Sequence, residues 1–255
     1  MKDFICLPSL GRWDLLLAVV VCAQATILAY LYEPKWKAFV YALPLPFTFA
    51  ALAVGRRIDA TNVLGLVLLI GFTQGVRVLR EKLRLPIVAA IALATAGYSV
   101  AGWLLAEALP ADGRTFWWCC LGALALAVVM LKRYGPRSEQ GHASALPVWV
   151  KVPLTALLIL SLMTLKSLLQ GFATMFPMVG VFAAYEARHS LWTLGRQVPV
   201  LMLKVVPMMA ASRLSQPSCG LGGSLAVGWA VFLLLTLVEL LIGRPPAGSA
   251  HGPRA

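Results

Sequence analysis

The chain alternates between long runs of apolar residues and short segments that hold most of its charges. A helix needs about 20 mostly apolar residues to cross a bilayer. Nine runs have this character, and they predict nine membrane-spanning helices. Their approximate bounds are residues 13–33, 37–54, 60–78, 86–108, 115–131, 148–168, 171–187, 194–212 and 221–242.

Three of the predicted spans contain prolines that interrupt helical hydrogen bonding. Pro44 and Pro46 fall in the second span, Pro177 in the seventh, and Pro199 and Pro207 in the eighth. In lipid, the carbonyl groups that a proline frees must be satisfied by neighbouring helices or by water. We therefore expect these three spans to face protein rather than lipid.

The amino-acid composition agrees with a membrane protein and excludes several other classes. Of the 255 residues, 60% are hydrophobic and only 13% are charged, whereas soluble domains carry about 25% charged residues. This balance excludes a soluble enzyme, a disordered chain and a fibrous protein. The net charge of +12 would suggest a nucleic-acid partner in a soluble protein. Here it indicates basic loops that face anionic lipid, so the expected partner is the bilayer and not nucleic acid.

The basic residues also predict an orientation in the membrane. With nine spans and the N-terminus outside, 14 Lys and Arg residues lie inside and 7 lie outside, with Lys204 left within a span. Because cytoplasmic loops are enriched in Lys and Arg, this excess favours an N-terminus outside and a C-terminus inside.

Two pairs of matching segments indicate an internal repeat. FVYALPLPFTFAAL (residues 39–52) matches FATMFPMVGVFAAY (172–185) at an offset of 133, and GYSVAGW (97–103) matches GSLAVGW (223–229) at an offset of 126. Apolar segments align by chance, but here Pro, Gly and Trp coincide in two blocks and in the same order. Spans one to four therefore correspond to spans six to nine.

The repeat predicts the architecture. A four-helix unit followed by a single linker helix places the second unit upside down in the bilayer, an arrangement common in transporters. The predicted fold is all-α, with about nine transmembrane helices in a 4+1+4 inverted-topology repeat. Its parts are a first unit (1–110), a linker helix with a basic cytoplasmic loop (111–145), a second unit (146–243) and a disordered tail (244–255).

The motifs of both units resemble one known family. The first unit has PLPFTFAAL (44–52), RLP (84–86) and GYSVAGW, and the second has Phe176-Pro177, AAYEARHS (183–190) and AVGW (226–229). These segments are similar to those of the GlpM-like family of small, four-helix proteins of the bacterial inner membrane. The order Pro46-Phe47 and the missing RLP in the second unit depart from the family pattern, as does the duplication itself.

The resemblance carries limited functional implications. It implies the bacterial cytoplasmic membrane as the location, with links to glycerol metabolism and to exopolysaccharide production. It supplies no catalytic residues.

A few polar residues within or beside the spans are candidates for a substrate site. Lys204 lies near the middle of span eight between two prolines, where a lone lysine costs roughly 2.5–3.5 kcal/mol. It predicts either a site for a polar or anionic solute or a side chain that reaches the interface. Glu186 and His189 share a helix face at the end of span seven and predict either a proton-coupling pair or a solvated helix end. Pro44 and Pro177 complete the candidate site at the two helix breaks.

Other features favour structural roles. Gln24 and Gln74 lie within spans and are expected to form hydrogen bonds between helices. Glu239 lies near the end of the last span. The cysteines and histidines lack metal-ligand spacing, and no phosphate-binding loop or nucleophile motif occurs in the sequence. We therefore expect no enzyme activity, no metal and no cofactor.

Two functions fit these expectations. The first is a transporter or permease for a small polar or anionic solute, based on the repeat, the broken helices and Lys204. The second is a non-transporting accessory or scaffold protein that binds a membrane protein partner in an envelope or exopolysaccharide pathway. A polar cavity near the midplane would favour the first function, and a dry, packed interior would favour the second.

Overall fold

A computed structural model describes residues 11–32, 34–110, 112–135, 153 and 169–242. Within these ranges the regular structure is entirely helical. The α-helices are α1 (Arg12–Tyr30), α2 (Pro34–Tyr41), α3 (Leu45–Val54), α4 (Ala60–Glu81), α5 (Ile87–Ala108), α6 (Gly113–Arg133), α7 (Met178–Glu186) and α8 (Leu191–Ile242). A 3₁₀ helix, Gln170–Met175, precedes α7. The all-α prediction is confirmed for the described residues.

Helix α4 lies at the centre of the molecule. It packs on α5, α6, α8 and the 3₁₀ helix, and half of its most apolar 18-residue window is buried. Its first turn is fixed by reciprocal hydrogen bonds, because the Asp59 carboxylate accepts from the Thr61 amide at 2.9 Å while the Asn62 side chain accepts from the Asp59 amide at 2.8 Å. Such a capping box satisfies amides that a helix start otherwise leaves free.

Helix α8 is a hairpin of two arms rather than one long rod. Gly220 has a left-handed φ of 66°, which glycine adopts without steric cost, and it separates residues 191–219 from residues 221–242. Lys204 in the first arm contacts Glu239 in the second, although a straight helix would hold them roughly 50 Å apart. A Cβ on Gly228 would lie 2.9 Å from the Met208 carbonyl oxygen, so the two arms approach closely. The arms are therefore antiparallel.

In the part of the chain that the structure describes, four helices are long and apolar enough to cross a membrane: α4, α5, α6 and α8. Their outer surfaces are apolar, with large exposed side chains that include Val88, Leu93, Val100, Leu104, Trp118, Leu121, Leu233 and Leu237. Such a surface is typical of contact with lipid tails, because an exposed apolar area of this extent is rare in soluble monomers. The chain is thus compatible with a membrane location.

The helices follow most of the predicted spans. α1, α4, α5 and α6 correspond to spans one, three, four and five, and the two arms of α8 correspond to spans eight and nine. The second and seventh spans are each divided into two short helices. The sixth span (148–168) lies outside the described residues apart from Pro153, as do most of the basic loop and the tail. The count of nine and the unit boundaries stay predictions.

The three proline-containing spans are largely buried. Helix α7 is enclosed from Met178 to Ala184, and the first arm of α8 buries Val198, Met202 and Val206. In α2 and α3 the buried positions begin at Tyr41. The expectation that these spans face protein is confirmed for the seventh and eighth spans and for the second span from Tyr41 onward, whereas Phe39 in the second span is 42% exposed.

Candidate functional site

The two divided spans are broken at equivalent positions. α3 begins directly after Pro44 and α7 directly after Pro177, and these two prolines match at the offset of 133 in the sequence. Their backbones are similar, with φ −79° and ψ 28° at Pro44 and φ −74° and ψ 46° at Pro177. We call α2 with α3 the first broken segment, and the 3₁₀ helix with α7 the second.

The two broken segments cross each other in opposite directions. α3 packs on the 3₁₀ helix, and α2 packs on α7. The second half of one segment therefore meets the first half of the other, which is the arrangement of antiparallel partners. Both breaks consequently lie at the same level inside the protein.

A cavity of about 60 Å³ lies between the two breaks. Pro44 and Pro177 both line it, as do Leu201 and Val205 from the first arm of α8. The remaining lining is mostly hydrophobic, and among the described residues no acidic or basic side chain contributes to it. The volume has room for a few water molecules or a very small solute, since a cavity needs roughly 10–15 Å³ to hold one water.

Polar side chains from neighbouring helices donate hydrogen bonds to oxygen atoms at the first break. The Gln24 amide nitrogen in α1 donates to the Val40 carbonyl oxygen at 2.6 Å and lies 3.5 Å from the Leu43 carbonyl oxygen. These carbonyls end α2 and have no continuing helix to accept from. On the other side of the break, the Trp229 indole donates to the Thr48 hydroxyl at 2.9 Å.

Oxygen atoms at the second break also accept hydrogen bonds from side chains of neighbouring helices. The Asn62 amide nitrogen donates to the Thr174 hydroxyl at 2.9 Å and to the Gly171 carbonyl oxygen at 3.3 Å. The Tyr98 hydroxyl donates to the Phe172 carbonyl oxygen at 2.9 Å. Both donors are buried and come from the first half of the chain. The sequence pattern did not single out Asn62, which belongs to no motif, or Tyr98, which lies in the GYSVAGW block but far along the chain from the break.

Two buried polar atoms at the first break have no hydrogen-bond partner among the described residues. They are the Tyr41 hydroxyl and the Gln24 side-chain oxygen. Tyr41 lines the cavity and is 7% exposed, and Gln24 is 3% exposed. An unpaired buried polar group costs roughly 1–3 kcal/mol, so a water or a polar solute group at this place would be stabilising.

Lys204 does not line the cavity. Its neighbours Leu201 and Val205 face the cavity, while the Lys204 ammonium lies 2.5 Å from the Glu239 carboxylate on the second arm of α8. The Lys204 side chain is 12% exposed and that of Glu239 is 56% exposed. The positive charge of Lys204, which would be costly inside a membrane, is therefore compensated by an ion pair between the two arms of α8.

Glu186 and His189 lie at the end of α7, away from the cavity lining. Glu186 is buried, at 3% exposed, and His189 is exposed. His189 contributes to a separate polar cleft together with three arginines. The structure thus brings Pro44 and Pro177 together, and it places the other three predicted residues elsewhere.

The interhelical role of the two glutamines is confirmed. Gln24 joins α1 to the first broken segment, and Gln74 in α4 accepts from the Tyr134 hydroxyl at 3.0 Å. The Gln74 amide nitrogen also lies 3.5 Å from the Gly195 carbonyl oxygen in α8. Their polar termini therefore hold helices together at the site and at one end of the bundle.

The chain matches no family model, no curated protein and no solved structure. The resemblance to the GlpM-like family stays a prediction.

Proposed function

We propose that the protein is a permease for a small, neutral, weakly polar solute in the bacterial inner membrane. The observation that carries this proposal is the pair of antiparallel broken segments that meet at a cavity. Broken helices at the interface of two repeats, near the bilayer midplane, are where transporters with inverted repeats bind their substrates. The proposed solute site is formed by Pro44, Pro177 and Tyr41.

The inverted repeat and the nine spans are part of the same proposal. The positions of the helix starts support the repeat that the matched sequence blocks indicate, because α3 and α7 both begin one residue after the paired prolines. The antiparallel crossing of the two broken segments agrees with units of opposite orientation. The proposed sixth span would occupy, in the second unit, the place that α1 has in the first.

The proposed orientation, with the N-terminus outside and the C-terminus inside, rests on charge. Basic residues gather at the end of the bundle where α4 and α6 finish and α8 starts. There the Arg196 guanidinium donates to the Tyr134 carbonyl oxygen at 2.9 Å, and the Trp192 indole donates to the Gly135 carbonyl oxygen at 3.0 Å. This end would face the cytoplasm, since it holds Arg77, Arg80, Lys82, Arg84, Lys132, Arg133, Arg188 and Arg196.

The uncharged lining limits the solute class. A charged solute would lose its hydration without gaining a counter-charge in the cavity, and that loss is costly in a low-dielectric site. A small polyol such as glycerol can instead satisfy the unpaired Tyr41 hydroxyl and place its carbon atoms on the hydrophobic lining. Lys204 then has a structural role through Glu239 and does not contact the solute.

Osmotic swelling of proteoliposomes in glycerol tests the permease. A Leu201→Phe variant adds volume to the cavity lining, and a Leu214→Phe variant makes the same change at a side chain that is 67% exposed on the same helix arm. We expect swelling by the wild type and by Leu214→Phe, and a several-fold slower rate for Leu201→Phe. Equal rates in the three proteins, or no rate above that of empty liposomes, would contradict the proposal.

A second candidate function is a non-transporting membrane scaffold. The observation that favours it is the small size and the hydrophobic lining of the cavity, which leave the interior close to dry packing. Under this proposal the purified protein would show no solute flux and would co-purify with a membrane protein of an envelope-polymer pathway. Swelling in glycerol that depends on Leu201 would argue against it.

A further inference from the structure

The basic end of the bundle carries an open polar cleft of about 370 Å³, which is separate from the cavity between the breaks. Its walls are the turn between α4 and α5 and the turn between α7 and α8. The lining residues are Arg80, Glu81, Arg84, Arg188, His189 and Leu191. Its volume falls within the roughly 300–1,000 Å³ of small-ligand pockets.

Among the described residues that line this cleft, three arginines and a histidine accompany one carboxylate, that of Glu81. This carboxylate already lies 3.5 Å from the guanidinium of Arg77, which is outside the cleft lining. Arg80 and Arg84 belong to the same wall, and like charges held close together repel one another, so an anion beside these two guanidiniums would be stabilising.

The backbone of the α4–α5 turn places a guanidinium in the cleft at a conformational cost. Arg84 has a φ of 56°, in the left-handed region, which costs roughly 1–2 kcal/mol for a residue with a Cβ. The turn is closed by the Leu85 amide, which donates to the Leu79 carbonyl oxygen at 3.1 Å. Helices commonly end on a left-handed residue of this kind, and it is usually glycine. The chain has arginine at a position where glycine would be less strained.

A second arginine, Arg80 in the last turn of α4, is held in the same place. The Arg80 guanidinium donates to the Leu85 carbonyl oxygen at 3.1 Å. This single bond uses one of its five N–H donors. On the opposite wall, the Arg188 guanidinium lies over the Tyr185 ring at 5.1 Å, which orients its planar face. Arginines from two separate turns therefore converge on one volume.

We propose that this cleft binds a phosphate group. Guanidinium groups match phosphate oxygens in geometry and form paired, charge-assisted hydrogen bonds with them. Arg80 and Arg84 carry five N–H donors each, of which one bonds to Leu85, and these are more donors than one carboxylate ligand could accept. Leu83 and Val88 beside the cleft are 62% and 65% exposed, so the phosphate belongs either to a lipid head group, with its chains on this apolar surface, or to a soluble phosphate.

The experiment uses the full-length protein with two phosphate probes. Inorganic pyrophosphate is titrated into the detergent-solubilised protein by calorimetry. In a parallel arm, native mass spectrometry measures how much phosphatidylglycerol, relative to phosphatidylcholine, stays bound after extraction from mixed vesicles. Saturable binding of pyrophosphate identifies a soluble phosphate as the ligand class, and selective retention of phosphatidylglycerol identifies a lipid head group.

Three variants separate the cleft from general surface charge. Arg84→Gly removes a guanidinium and relieves the backbone, so it is expected to fold at least as stably as the wild type. Arg188→Gln removes one from the opposite wall, and Lys82→Gln removes the same charge from an exposed residue of the α4–α5 turn that does not line the cleft. We expect at least about tenfold weaker binding in the two cleft variants, as for the loss of one hydrogen bond to a charged group. Lys82→Gln should bind within about twofold of the wild type.

Two results would overturn the proposal. One is an equal loss in Lys82→Gln and in the cleft variants, because it would show that diffuse charge attracts the anion. The other is a wild type that neither binds pyrophosphate nor prefers phosphatidylglycerol.

Discussion

The ion pair between Lys204 and Glu239 gives a prediction in which the two single variants differ. The Lys204 side chain is 12% exposed, whereas the Glu239 side chain is 56% exposed. Glu239→Gln therefore leaves an enclosed ammonium without its counter-charge. Lys204→Met leaves a carboxylate that is already half outside the protein and close to the end of its helix arm.

The magnitudes follow from this difference in burial. An enclosed charge that loses its partner costs roughly 1–3 kcal/mol or more, so Glu239→Gln should lower the free energy of unfolding by about 2–3 kcal/mol. Lys204→Met should lower it by less than about 1 kcal/mol, because an ion pair with one exposed partner contributes little. The double variant Lys204→Met/Glu239→Gln should lie within about 1 kcal/mol of the wild type, since neither charge is then left alone.

The assay is unfolding of the purified protein in mixed micelles, followed by circular dichroism as a denaturing detergent is added. The four proteins form a double-mutant cycle, which isolates the interaction between the two side chains. The reasoning is refuted if the double variant is no more stable than Glu239→Gln. In that case the packing of the two side chains, and not the unpaired ammonium, would account for the loss.

Three further predictions concern the helix breaks and one helix start. A Cβ at Gly171 would collide with the Thr61 hydroxyl of α4, whereas one at Gly97 would meet nothing within 4 Å. Gly171→Ala should therefore lower the free energy of unfolding, measured by thermal denaturation, by roughly 1–3 kcal/mol, and Gly97→Ala should not lower it. The Val40 carbonyl oxygen also accepts from the Leu43 amide at 3.3 Å, so Gln24→Leu, which removes the side-chain donor to that oxygen, should cost roughly 0.5–1.5 kcal/mol in detergent unfolding, and no loss would mean that the Leu43 amide alone satisfies it. Hydrogen bonds from the first turn of α6 hold the pKa of Asp112 below its usual range. The stabilisation by this carboxylate is present above the usual aspartate pKa of about 3.9 and is lost as pH falls through the lowered pKa. Curves of unfolding free energy against pH for the wild type and Asp112→Asn should therefore converge in acid and separate at pH 6.

The prolines show how far the pattern of residues predicts the breaks. Pro44 and Pro177 end helices, but α8 continues through Pro199, Pro207 and Pro217. A proline removes one backbone hydrogen bond and does not by itself decide whether the helix separates. The helix separates where side chains of other helices donate to the freed carbonyl oxygens, as Gln24 and Tyr98 do here. Sequence spacing alone does not reveal which proline has such neighbours.

Lys204 illustrates a second limit of sequence reasoning. Its unusual position within a span was evident, but the sequence predicted a solute site or a side chain that reaches the interface, and not an ion pair within the chain. The partner was not evident, because Glu239 comes within reach only through the reversal at Gly220. That reversal falls in the polar segment between predicted spans eight and nine, so the sequence indicated antiparallel arms but not which residues of the two arms lie opposite each other. The apolar runs and the two matched breaks, by contrast, could be read directly from periodicity and proline position.

Hydrogen bonds between the two halves of the chain bear on how a permease would open. Asn62 bonds to Thr174, Tyr98 to the Phe172 carbonyl, and Trp229 to Thr48. Each joins residues 1–110 to residues 169–242. At roughly 0.5–1.5 kcal/mol for each bond, separating the two halves at the breaks would cost about 2–5 kcal/mol. The closed arrangement would then dominate without solute, and opening would be a minor state.

A variant that removes one of these bonds should make opening more frequent. Trp229→Phe keeps an aromatic ring beside Phe232, which packs on Trp229 with ring centroids 5.6 Å apart, but it lacks the N–H group that reaches Thr48. A cysteine at cavity position Val205, in a chain whose native cysteines are replaced by alanine, reports opening through its rate of reaction with a small methanethiosulfonate reagent. If about 1 kcal/mol is lost from the closed state, this rate should rise about fivefold. The same cysteine reacting at an unchanged rate would mean that the halves do not separate there, which is the behaviour expected of the packed scaffold and not of the permease.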